Sequence, residues 1–143
     1  MAADNRVYDW QLGDKAATDA AFARAHHVTK LHIVNTDAFS ERNLQKAGYV
    51  TSPLTDGSLG GFHVHEVALT SMTVEALKGV DGITSREAER SKNFFALGLM
   101  SWLYHRPVEG TLEFIGSKFG KRPEIAEANT RAFRAGYNYG ETS

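Results

Sequence analysis

The sequence predicts an α/β fold with parallel strands and helices packed on the sheet. Three observations carry this. Two short apolar stretches rich in β-branched residues, "LHIVN" (31–35) and a second over about 62–69, have the length of strands. Helix-like stretches with capping residues precede, separate and follow them. Glycine and proline mark the breaks. With 143 residues the chain is long enough for a single domain, 1–143, with a core of its own.

"GDKAATDAAFARAHH" (13–27) reads as a helix: Asp14 can cap it, and alanine is the strongest helix former. Strand 31–35 follows. A short helix near 40–47 ends at Gly48, and "TSPLTDGSLGG" (51–61) is a loop. After the second strand, Thr70 or Ser71 caps a short helix that ends near Gly79. "TSRE" (84–87) is a capping-box pattern, Thr84 with Glu87, opening what reads as the longest helix, 85–105. From Phe94 to Tyr104 that helix is apolar nearly all round, the pattern of a core helix or a subunit interface. Pro107 ends it. Val108, Leu112, Ile115 and Phe119 repeat at helical spacing, and Gly120 stops them. Pro123 opens a last helix that Gly136 closes, leaving "YNYG" (137–140) as a tail. Two strands do not make a stable isolated sheet. Either further strands lie in 5–10 and 48–52, or two chains share one sheet, and a homodimer is the expectation.

Composition narrows the function. The net charge of -1 provides no electrostatic case for a nucleic-acid partner or an anionic membrane surface. The apolar run around 94–104 is too short to span a bilayer. "MAADNRVYDW" has no apolar core of a signal peptide, so a cytoplasmic location is expected. The absence of cysteine excludes disulfides, thiolate metal sites and cysteine nucleophiles, so any transition-metal site must use imidazole and carboxylate.

Four stretches carry a resemblance: "IVNTDAFSERNLQKAGY", "ALTSMTVEAL", "AERSKNFFALGLMSWLYHRP" and "KFGKRPEIAEANTRAFRAGYNYGET". From about residue 33 to 143 the chain resembles the gamma domain of 2-oxoacid:ferredoxin oxidoreductases of the 2-oxoglutarate type. The resemblance implies a Rossmann-like α/β domain beside a thiamine-diphosphate enzyme that passes electrons through iron–sulfur clusters. The glycine-rich strand–turn–helix segment that opens such a domain does not stand here. The expected fold is therefore a truncated Rossmann-like parallel sheet with several packed helices, completed by dimerisation. Without cysteine the chain ligates no cluster. No thiamine diphosphate, iron–sulfur cluster or molybdopterin is expected on this chain alone. "NRVYDWQLGDKAATDAAFARAHHVTKLHIVN", about residues 4–35, resembles instead a segment of the large subunit of carbon monoxide dehydrogenase and related molybdenum hydroxylases. The two resemblances meet at "IVN" (33–35). The expectation is a chimera, with 1–35 a helix–strand segment of different origin from the gamma-domain-like 36–143.

The histidines carry the other candidate chemistry. His63 and His65, two apart on one strand, share a face. His32 on the other strand can meet them if the register allows. An HxH pair plus a third imidazole suits Zn²⁺ or another divalent transition metal and leaves a position for water. Bound zinc lowers the pKa of that water toward ~7. His26 and His27 are further candidate ligands, although a cationic ring near a helix C-terminus is stabilising without any function. Asp37 and Asp56, in loops, are candidates for a further ligand or a catalytic base. The expected function is a metallohydrolase of activated esters or phosphotriesters, acting on a small-molecule substrate. The alternative is a catalytically silent gamma-domain fragment, a packing module. "KFGKR" (118–122) reads as a helix-end charge cluster, and the aromatic residues around Phe94 read as core.

Overall fold

The computed structural model describes residues 31–143. Their contacts divide at Val67/Ala68 into two compact units.

The first unit holds two parallel strands, β1 (Leu31–Asn35) and β2 (His63–Val67). Between them run a 3-10 turn (Thr36–Ala38), a short helix α1 (Glu41–Lys46) and a glycine-rich loop. Ser40 caps α1, its hydroxyl accepting from the Asn43 amide at 3.4 Å. Gly48 lies beyond the helix C-terminus at φ 81°, as the sequence anticipates. Residues 48–52 form bends and loop rather than a strand, and the stretch 5–10 lies outside the described residues. Among the described residues the sheet has two strands.

The second unit is helical: α2 (Leu69–Ala76), α3 (Ser85–Arg90), α4 (Lys92–Leu103), α5 (Glu109–Lys118) and α6 (Pro123–Thr142). Thr70 and Ser71 do not cap α2; both lie inside it, and Ala68 holds the cap position without a side-chain hydrogen bond. The expected long helix 85–105 is two. The capping box at Thr84 forms, but the helix breaks at Ser91. The buried Ser91 hydroxyl lies 3.3 Å from the Glu87 carbonyl and 2.9 Å from Asn129 Oδ1 of α6. A serine that bonds back to the preceding turn bends a helix, and here the tertiary partner fixes the bend.

α4 and α6 form the centre of this unit. They run in the same direction, since Ser91 meets Asn129 at one end and Trp102 meets Gly140 at the other. α6 presents a row of small buried residues four apart: Ala128, Ala132, Gly136 and Gly140. Residues four apart share one helix face. Along this row the two backbones touch. A Cβ at Gly136 would lie 2.7 Å from the Phe95 carbonyl carbon, and one at Gly98 would lie 2.9 Å from the Tyr137 amide nitrogen. Gly136 therefore does not end the last helix at Ala135, as the sequence suggests. The helix continues through it to Thr142, and "YNYG" is helical rather than a tail. Phe95, Phe133 and Ile115 fill the core around this contact, all but fully buried. Leu97, by contrast, is 42% exposed, so α4 is not buried all round, and Tyr104 just beyond it is equally exposed.

α4 ends in a tight reversal. The His105 amide donates to Trp102 O at 3.1 Å and the Arg106 amide to Ser101 O at 2.8 Å, with His105 at φ 51°. This is a Schellman cap built without glycine, and it turns the chain toward α5.

Gly136→Ala and Gly98→Ala should each lower the unfolding free energy by about 3 kcal/mol, because the new methyl group must push two backbones apart. Gly116 on α5 has open space around its missing Cβ. There alanine should stabilise by about 0.5–1 kcal/mol, through helix propensity alone. Urea denaturation of the three variants checks both signs.

Candidate functional site

The strand register decides the fate of the histidine cluster. His32 pairs with Val64, and Ile33 pairs with His65. Partners across a parallel ladder point to the same face, and successive residues alternate. His63 and His65 therefore share a face with Ile33, and His32 points to the opposite one with Val34 and Val64. A register one residue different would have reversed this. His32 is buried (7% exposed), with its ring edge-on to Phe62 at 4.4 Å between centroids, while His63 and His65 are exposed. His26 and His27 lie outside the described residues.

The two aspartates are engaged locally. Asp37 stands in the 3-10 turn, its amide donating to Asn35 Oδ1 at 3.3 Å. Asp56 accepts from the Ser58 amide at 2.9 Å, from the Ser58 hydroxyl, and from the Thr51 hydroxyl at 3.0 Å. The Ser58 hydroxyl, followed by the Ser58 amide, lowers its pKa. That carboxylate holds a loop together and is a weaker base than a free one. Among the described residues, no three His, Asp or Glu side chains are grouped to hold a metal ion.

A different concavity stands in the helical unit. A cleft of about 450 Å³ opens among α3, α4, the end of α5 and the start of α6. Phe94 and Phe119, both in its lining, meet edge to face, 5.8 Å between ring centroids. Beside them lies the buried Ser91–Asn129 hydrogen bond. One wall is an ionic network. Glu87 Oε2 accepts from the Thr84 amide and hydroxyl, both at 2.9 Å, and its Oε1 accepts from Arg122 Nη1 at 2.6 Å. Arg122 Nε donates to Glu124 at 2.7 Å. The Thr84 amide, the Arg122 guanidinium and the Thr84 hydroxyl together hold the Glu87 pKa down to about 2. One carboxylate thus caps α3 and ties it to the start of α6, 35 residues away.

The sequence shows the local half of this network, the Thr84/Glu87 capping box. It does not show the Arg122 half, which pairs residues brought together only by folding. Nor did it separate "KFGKR" from an ordinary helix end: Phe94, an apparent core residue, forms the other side of the cleft.

The family model for pyruvate ferredoxin/flavodoxin oxidoreductase matches residues 12–139. The chain belongs to this family. A curated relative is the 2-oxoglutarate oxidoreductase subunit KorA of Mycobacterium tuberculosis, 51% identical over 111 residues. That alignment covers 78% of this chain and 17% of the relative, so the chain spans about a sixth of the protein it matches. No solved structure matches it. The oxidoreductase family and its α/β architecture bear out the gamma-domain resemblance. They overturn the metallohydrolase reading: a chain half identical to an oxidoreductase subunit is not a zinc-dependent esterase or phosphotriesterase. The zinc expectation falls with it, since the register parts His32 from His63 and His65 and no metal-holding group stands among the described residues. A cysteine-ligated iron–sulfur cluster does not fit the residues of this chain, which contains no cysteine.

A carboxylate with a depressed pKa favours the folded state in its ionised form. The contribution of Glu87 is fully present above its ordinary value of 4.5 and is lost as the pH falls toward about 2. Thermal melts of wild type and Glu87→Gln should therefore converge over that window, because glutamine keeps the capping geometry and cannot titrate. Equal pH slopes for the two proteins would remove Glu87 from the acid transition.

Proposed function

We propose that this chain is a piece of a 2-oxoglutarate-type 2-oxoacid:ferredoxin oxidoreductase and acts as a packing module of that enzyme. Its identity to the KorA subunit, confined to 17% of that subunit's length, carries the reading. The whole enzyme's electron transfer is the work of parts this sequence does not contain. Exposed Leu97, Tyr104 and Phe114 on the helical unit support it, since large apolar side chains left at a surface serve as contacts for a partner. The partners are the remaining segments and subunits of the oxidoreductase, in the cytoplasm. Where they are missing, two copies of the chain cover these side chains as a homodimer.

The separate origin of the first thirty-odd residues rests on their own sequence resemblance; the family model, by contrast, reaches back across the junction to residue 12.

A hybrid tests the reading. In Mycobacterium tuberculosis KorA, residues 33–143 of this chain replace the matching segment, and the hybrid is expressed with the rest of its complex. It should assemble and support 2-oxoglutarate-dependent reduction of a viologen dye, while the chain alone gives no turnover. A hybrid that contains folded protein but neither assembles nor reduces the dye removes the proposal. Sedimentation of the chain alone should give a dimer; a monomer at all concentrations would mean that these side chains need no cover.

A further inference from the structure

The cleft of the helical unit has a charge pattern that the packing role does not use. Its lining contains four cations, Arg90, Lys118, Lys121 and Arg122, against one carboxylate, Glu87. Arg122 is committed to Glu87 and Glu124. The other three make no ion pair with a carboxylate among the described residues, whereas Lys78 and Arg131 each hold a glutamate one turn away. Lys118 lies over the Phe114 ring at 5.4 Å and keeps its charge uncompensated. The chain as a whole has a net charge of -1, so this concentration of positive charge is local.

The cleft is also lined by Phe94, Phe119 and Ile125, each partly exposed, and by Ser91 and Asn129, which bond to each other. Three uncompensated cations beside aromatic rings favour an anion that also has an apolar body: charge draws the head group, and the rings take the rest. The volume, about 450 Å³, lies within the range of small-molecule sites.

We propose that this cleft binds a small amphipathic organic anion, a phosphate, sulfonate or carboxylate attached to an aromatic or aliphatic body. The head group lies among Arg90, Lys118 and Lys121, and the body lies on the Phe94–Phe119 pair. The Glu87–Arg122 link fixes the relation between α3 and α6 that sets the width of the cleft. This inference does not rest on the packing-module reading, and either can fail alone.

The aryl sulfonate 1-anilinonaphthalene-8-sulfonate is the first probe, titrated into the full-length chain with fluorescence and amide chemical-shift readouts. Inorganic phosphate tests the head group without a body, and neutral N-phenyl-1-naphthylamine tests the body without a charge. The sulfonate should bind at a single site, shift the amides of Phe94, Phe119 and Ser91, and weaken with salt. Arg90→Gln and Lys121→Gln, both at exposed positions that leave the fold intact, should each weaken it about tenfold. Phosphate should compete at high concentration, and the neutral dye should bind far more weakly. Equal affinity in wild type and both variants, equal binding of the neutral dye, shifts confined to other helices, or no binding of the sulfonate would each overturn the proposal.

Discussion

The helical unit depends on one close approach: the backbones of α4 and α6 touch at Gly98 and Gly136. Most helix pairs keep axes 8–10 Å apart because side chains stand between them. Here the side chains at the crossing are reduced to hydrogen, and Ala128, Ala132 and Gly140 extend the same row. The approach sets where everything else goes. Phe95 and Phe133, each three residues before its glycine, are buried. Trp102 lies on Gly140, and Ser91 reaches Asn129. A second layer, α2 and α5, then packs on this pair.

The same approach builds the cleft. With α4 held against α6, the turn at Ser91 and the start of α6 converge, and Glu87 comes within reach of Arg122. That ion pair is exposed and is worth little as stability by itself. Its role is geometric, because it joins two helix N-termini that the core contact has already brought near. The unpaired cations follow from the same arrangement. Arg90, at the end of α3, and Lys118 and Lys121, around the end of α5, arrive beside one another from separate elements. Among the described residues none of the three forms an ion pair with a carboxylate.

The strand pair teaches the opposite lesson about inference from pattern. Both strands were legible in position, though the second is shorter than the expected 62–69, and so was the short helix between them. The side-chain constellation on them was not, because it turns on register. Two strands with histidines at compatible spacing have two ways to align, and the one adopted sets His32 against Phe62, on the face away from His63 and His65. Nothing within either strand encodes that choice. The family resemblance in the sequence pointed to the oxidoreductase throughout, whereas the metal reading rested on a pairing that only the fold could supply.

By itself the sequence determined the α/β class, the two strands, the capping box at Thr84, the proline that opens α6, the absence of thiolate chemistry and the oxidoreductase kinship. These are properties of a residue and its near neighbours, or of the whole string compared with others. Tertiary structure decided the rest. It made Gly136 a contact instead of a stop, broke the long helix at Ser91, set the strand register and gathered three cations beside two phenylalanines. Each of these depends on a partner distant in the chain, and a residue's local preferences contain no term for a partner that only folding brings near.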